Sequence, residues 1–342
     1  MRELYTPQQE ILSPAEWRLF AERHVHEVAK VTPVEFSETT PTGVDIYAKR
    51  EDQQEVGSFK LRGAYVRARH LRETDPNRFH RGLVAASAGN HAQGVALAAA
   101  ELGTTATIFM PEGTPEVKIR AVKALGAEIV IIGSAVDESL AAAKQYAFDA
   151  GAAFIHPFDD EAVIAGQGTI GTELIQQLPD VDTIMVQIGG GGKIAGIARA
   201  VKAVRPDARI IGVQMDGCDS AAQSREQGRI VRLDTVDKTA DGVAVKEVGK
   251  IPFQTIRNPK FVEGIVRVTP AELGRAIKRL PYRVEPAGAL GYAGVLKLTE
   301  NADLVKNMNI KTCATIISGC NADPNRINYL LEIAGCQDTS GK

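Results

Sequence analysis

Thr183-Ile184-Met185-Val186-Gln187-Ile188-Gly189-Gly190-Gly191-Gly192-Lys193-Ile194-Ala195-Gly196-Ile197-Ala198 is an apolar run, four glycines and the opening of an apolar helix. A strand, a tight turn and a helix in that order form the unit of a parallel sheet covered by helices. Successive glycines let the backbone pass close to a ligand. The N–H groups at a helix start, aided by the helix dipole, make an anion site suited to a phosphate. Gly190-x-Gly192-x-x-Ala195, with Asp216 after the next strand, also fits a dinucleotide site. A nucleotide P-loop fits less well, because Ile194 follows Lys193 and Gln187 stands where the first glycine belongs.

The same rhythm runs outward from this stretch. Leu83–Ala86 precedes a helix over 90–102, 105–110 a helix over 115–125, and 129–132 a helix over 136–150, and 153–155 closes the series. After His156-Pro157 a helix over 161–178 leads to the strand at 183–188, a helix through 199–204 and a strand at 210–214. Ser13-Pro14 starts a helix over 14–30, two short strands follow at 34–36 and 44–48, and Lys60 precedes a helix over 61–71. A loop-rich stretch around Thr239–Val243, helices over 271–280 and 287–300, and a last strand at 313–317 complete the pattern. The fold class is α/β: two open, mostly parallel twisted sheets with helices on both faces. The expected boundaries are a small αβ domain over 62–155, a large one combining 1–61 with 156–330, and a C-terminal tail over 331–342, polar and frayed after Ala334.

Forty basic residues against 42 acidic ones, without a block of one sign, speak against a nucleic-acid partner and for a small molecule. Cys218, Cys313, Cys320 and Cys336 lack the spacing of a zinc site, so they read as reduced thiols and no metal is expected. Met1–Pro7 lacks the apolar core of a signal peptide, and no run approaches the roughly eighteen apolar residues of a membrane span. A soluble cytoplasmic protein without a membrane partner is expected.

Two more loops stand where ligands bind in such sheets. Ser87-Ala88-Gly89-Asn90-His91 joins a strand end to a helix start, where N–H groups and an amide suit a carboxylate; Ser87 or Asn90 alone reads equally as an N-cap, and His91 as a packing residue. Ser318-Gly319-Cys320-Asn321 ends the last strand, with Ser318 either a turn former or a hydroxyl aimed at a ligand. Lys60, between Phe59 and Leu61, reads from its local setting either as a solvated surface charge, like most of the 40 basic residues, or as an amine dry enough to release its proton and act as a nucleophile.

Taken together, Ser58-Phe59-Lys60-Leu61-Arg62-Gly63-Ala64, Ser87–Gly94, the tetraglycine, Asp241-Gly242-Val243-Ala244-Val245, Glu285-Pro286-Ala287-Gly288-Ala289 and Ser318-Gly319-x-Asn321 resemble the threonine dehydratases. These are pyridoxal-phosphate enzymes of fold type II, the tryptophan synthase β-subunit fold, and the motifs keep the family's order over about 25–330. The resemblance implies pyridoxal 5'-phosphate held on Lys60 as a Schiff base, with Phe59, Asn90, Gly189, Gly190, Gly191, Gly192, Lys193, Gly242 and Ser318 around it. Asn90 would meet the ring hydroxyl and Ser318 the pyridine nitrogen. It implies a substrate carboxylate on Ser87, Ala88, Gly89, Asn90 and His91. Lys60 would be the base in α,β-elimination of L-threonine, and of L-serine, to 2-oxobutanoate or pyruvate and ammonia.

The same resemblance suggests a homodimer or homotetramer and a place in amino-acid metabolism such as isoleucine biosynthesis. Because the chain ends soon after the last motif, no ACT-like regulatory domain is expected, and isoleucine inhibition should be weak. Several positions depart from the family. Lys193 replaces an aliphatic residue, either supplementing the phosphate site or snorkelling outward; Cys320 replaces a small one; Gln214 stands where relatives carry a metal-binding Glu; and Arg279–Val284 is short. Serine racemase, which needs a serine base where Ala88 stands, is one alternative. A nicotinamide-dependent dehydrogenase and a catalytically inactive cofactor-binding protein are the others.

Overall fold

The computed structural model describes residues 12–335. They form two compact units, one from the described residues up to Ala29 with Lys60–Gly166, the other from Lys30–Phe59 with the described residues from Gln167 onward. The strands are β1 (Val34–Thr39), β2 (Asp45–Arg50), β3 (Leu83–Ala86), β4 (Ala106–Met110), β5 (Glu128–Ile131), β6 (Ala153–Phe154), β7 (Thr183–Gln187), β8 (Arg209–Met215), β9 (Gly264–Val268) and β10 (Thr312–Ile317).

In the first unit a parallel sheet runs in the order β5-β4-β3-β6. Its inner strands are buried at every position, so they are apolar apart from Thr107 instead of alternating. The pleat still sorts them. Leu83 and Ala85 pack under the helices Lys60–Thr74 and Asn90–Leu102 with Ala64, Ala68, Val95 and Ala99. Val84 and Ala86 face the helix Val136–Asp149 with Ala143 and Ala147. Alanine on these helices lets them lie close to the strands.

The helix Pro14–His24, started by a Ser13–Glu16 capping box, places Trp17 and Ala21 against Val66 and Ala162. Residues 12–29 therefore pack with the first unit, where the sequence boundaries had set them with the large domain; their apolar face finds its cover there. For the same reason this unit extends past 155, since Val163 joins the core of Leu83 and Ile155.

The second unit holds a sheet in the order β1-β2-β10-β7-β8-β9, antiparallel between β1 and β2 and parallel elsewhere. Strand β9, unread in the sequence, is an edge strand whose Arg267 is paired with Asp219 and Glu226. A half-solvated edge with a central arginine carries too weak an apolar signal to stand out. The helices Ser220–Gln227, Lys250–Ile256 and Pro324–Ile333 were also unread. The last buries Leu330 and continues through residues assigned to the tail. Residues 336–342 with Cys336, like Met1–Pro7, lie outside the described residues. Among the described residues no helix is long and apolar enough to cross a membrane.

Candidate active site

In the first unit, Lys60 is the first residue of its helix, and its Nζ donates to the Pro157 carbonyl at 3.0 Å. That carbonyl belongs to the loop after β6, which is tied down residue by residue. The ring of His91 meets the Ile155 carbonyl through Nε2 at 2.9 Å. The Nδ1 of His156 accepts the N–H groups of Phe158 at 3.3 Å and Asp159 at 2.8 Å. Asp160 accepts the Val163 N–H at 3.0 Å, capping the next helix, and pairs with the buried Arg67 at 3.1 Å.

Burial, followed by the positive charge of Lys60, pushes His91 down to about 3. Burial, followed by the charges of Lys144, His91 and Lys60, does the same to His156. Both rings are therefore neutral at ordinary pH. The helix Asn90–Leu102 passes so near that a Cβ on Gly94 would stand 3.0 Å from the Lys60 carbonyl carbon, so only glycine fits without displacement.

The loop Ser87–His91 follows β3, the parallel neighbour of β6, at the same carboxyl end of the sheet. Neither Ser87 nor Asn90 is the N-cap. Gly89 holds that position without a side-chain cap, and Asn90 begins the helix. The Ser87 hydroxyl instead accepts the Gly89 N–H at 3.1 Å, closing the turn. Residues 87–90 are half-buried at the start of this helix. His91 turns its ring into the core, so it offers the loop its backbone and not its imidazole.

In the second unit, the end of β10 grips the segment that leads into Lys60. Ser58 bridges to Gly319, the Phe59 N–H donates to the Ser318 carbonyl at 3.2 Å, and the Cys320 N–H donates to the Gly57 carbonyl at 3.0 Å. The Asn321 side chain donates to the Val56 carbonyl at 2.9 Å. Ser318 is buried, with Oγ 3.4 Å from the Ala287 carbonyl at the start of the helix Pro286–Thr299. Burial raises the pKa of Cys320, whose Sγ rests 3.5 Å from the Asp52 carbonyl.

The glycine turn leaves β7 and starts the helix Gly192–Val204. Gly191 takes a left-handed φ of 92°, open to glycine and strained for other residues. The Gly190 carbonyl accepts the Gly249 N–H at 3.0 Å. The N–H groups of Gly190, Gly191 and Gly192 donate to no backbone carbonyl among the described residues, and the helix has no side-chain cap. Such a turn could hold a phosphate. Lys193 is buried, its Nζ 4.6 Å from the centre of the Phe59 ring, so it points inward and does not snorkel. Gly242 lies exposed in the single turn Asp241–Val243.

Gln214 spends its amide on its own turn, donating to the Cys218 carbonyl and accepting the Ala222 N–H. Asp216, the acid a dinucleotide site needs, is exposed. Sequence reasoning gave no part in the site to His156, Pro157, Gly94 or Gln187. Gln187 donates to the carbonyls of Ala287 and Ile316, both at 3.0 Å, joining the strands and helix around Ser318. The one available signal was a histidine before proline at the carboxyl end of a parallel strand.

The family described as "Pyridoxal-phosphate dependent enzyme" matches residues 26–319. The chain is 42% identical over 317 residues to an "L-threonine ammonia-lyase" of Thermotoga maritima, covering 91% of this chain and 76% of that one. It is 41% identical to "Threonine dehydratase 2 biosynthetic, chloroplastic" of Solanum lycopersicum, covering 91% of this chain but 52% of that one, about half its length. The solved structure of the processed form of threonine deaminase isoform 2 from Solanum lycopersicum superposes with a TM-score of 0.86 at 39% identity, covering 94% and 93% of the two chains.

Proposed function

We propose that this chain, which belongs to the family of pyridoxal-phosphate dependent enzymes, is a threonine ammonia-lyase. It would convert L-threonine, and L-serine as a second substrate, to the 2-oxo acid and ammonia. The observation that carries the reading is the uncapped glycine turn, three N–H groups without a backbone acceptor at a helix start, in a chain whose relatives bear that enzyme's name.

The residues present fit the cofactor. Gly189–Gly192 would hold its phosphate, with the buried ammonium of Lys193 nearby; Lys60 would anchor it through the amine; and Phe59, Asn90, Gly242 and Ser318 would border the ring. When bound, pyridoxal phosphate takes up the electron pair left at Cα once a proton departs, chemistry that no side chain supplies. The work of the protein is then positional. The loop Ser87–Asn90, at a helix start, would hold the substrate carboxylate. The Lys60 amine takes the Cα proton. Facing the ring nitrogen, as the resemblance implies, the neutral Ser318 hydroxyl would not hold a proton there as a carboxylate would. Ala88 presents a methyl group that cannot return a proton, which argues against racemisation.

The test is direct. Purified protein supplied with pyridoxal phosphate should show a visible band and release 2-oxobutanoate and ammonia from L-threonine. Lys60→Ala should lose the band and at least about a thousandfold in turnover while keeping its circular dichroism. Absence of 2-oxo acid from the wild type, or its persistence in Lys60→Ala, would overturn the assignment. By family resemblance we read the protein as a cytoplasmic homodimer or homotetramer, which light scattering distinguishes.

A further inference from the structure

We propose that His156 is a positioning residue for Lys60: through one peptide group it sets the Pro157 carbonyl that receives the lysine N–H, and so holds the amine in place to take the substrate proton. The inference rests on the reading of Lys60 as the base.

The geometry is that of a relay. The Pro157 carbonyl and the Phe158 N–H are the two ends of a single planar peptide unit. In a trans peptide they point in opposite directions, and no peptide bond among the described residues is cis. On one side His156 Nδ1 accepts the Phe158 N–H; on the other the Pro157 oxygen accepts from Lys60 Nζ at 3.0 Å. Turning this peptide plane breaks both bonds together. The proline ring fixes φ, so this plane turns chiefly about ψ of Pro157, where the groups on either side hold it.

His156 also accepts the Asp159 N–H, closing the turn as an Asp or Asn side chain does in an Asx turn. His91 fixes the Ile155 carbonyl just upstream. Hydrogen bonds in series polarise one another, so the carbonyl accepts best when Lys60 carries the extra proton, the state that follows proton removal from Cα. The relay needs a neutral ring with its lone pair on Nδ1, and the enclosure of His156 beside Lys144, His91 and Lys60 keeps it neutral.

Asparagine carries its oxygen close to the place of Nδ1, whereas glutamine reaches farther, so His156→Asn and His156→Gln separate acceptor position from bulk and polarity. Two readouts apply. One is the rate at which the visible band grows when apoprotein is mixed with pyridoxal phosphate. The other is turnover with its deuterium isotope effect, using threonine deuterated at Cα. We expect His156→Gln to slow band growth about threefold or more. It should also lower kcat about tenfold or more at a nearly unchanged KM and raise the isotope effect, as misplacement of a base does. His156→Asn should stay within about threefold of wild type on each measure.

Equal behaviour of His156→Gln and wild type overturns the proposal. So does His156→Asn as impaired as His156→Gln at an unchanged melting temperature. Should the glutamine variant not fold, the wild type decides: ring ¹⁵N shifts of His156 at neutral pH must show Nδ1 without its proton, and a protonated Nδ1 overturns the relay. A wild type that forms no band or releases no 2-oxo acid removes the enzyme assignment itself. Normal wild-type turnover matched by His156→Gln removes only the role of His156.

Discussion

Acidification from about pH 7.5 to about pH 5 should cost the first unit about 6 kcal/mol of stability. Three of its imidazoles are enclosed. Burial and the charge of Arg67 push His70 down to about 4, and His91 and His156 stand at about 3. In the unfolded chain each ring titrates near 6.5. Folded values below unfolded ones mean that, over this range, the unfolded chain binds protons that the folded chain refuses. Stability therefore falls as pH falls, beginning below about pH 7.

At about pH 5 each ring has forfeited about 2 kcal/mol, a figure insensitive to the folded values while they stay below 5. Trp17, the one tryptophan of the chain, is buried in this unit with its ring 4.5 Å from His70, so its fluorescence in urea reports the transition. His70→Phe keeps an aromatic ring against Trp17 and removes one titrating group, so it should reduce the pH dependence by about a third. A wild-type change below about 2 kcal/mol across this range, or a slope that His70→Phe leaves untouched, would refute the reasoning.

Gly94→Ala should push the start of the helix Lys60–Thr74, because the new Cβ meets backbone atoms of Lys60 and Leu61 at 3.0 to 3.1 Å. A loss of about 1–3 kcal/mol in urea, with turnover falling more than cofactor binding, is the expected result. Lys49, fully buried, donates to Glu173 at 2.6 Å, to the Thr32 carbonyl at 2.6 Å and to Gln177 at 2.9 Å inside the second unit. Lys49→Met should destabilise that unit by about 3–5 kcal/mol, and Glu173→Gln in the same chain should recover much of it, as calorimetry will show.

What was legible in the sequence shares one property, that its signal is local. Strands β3, β4 and β7 and the helices after them appeared because buried parallel strands are mostly apolar and each is followed by a turn with glycine or asparagine. The phosphate turn appeared because four glycines have few other uses. Strand β9 and the helix Lys250–Ile256 were not legible. The first is a half-exposed edge, and the second owes its place to packing over Gly191, whose added Cβ would meet Ile256 and Pro252 at 2.8 Å.

The chemistry of the site divides in the same way. Residue types at strand ends, Lys60, the Ser87–His91 loop, the glycines and Ser318, stood in the sequence because an amine, an anion cradle and a hydroxyl announce themselves by type and local setting. Tertiary structure decided their partners. It assigned the His91 ring to a carbonyl instead of the loop, turned Lys193 inward over Phe59, and set the Pro157 carbonyl between Lys60 and His156. The physical reason is that a hydrogen bond between residues 97 positions apart, as from Lys60 to Pro157, leaves no periodicity or composition to read. Only the folded sheet, by bringing the ends of β3 and β6 side by side, makes those groups neighbours.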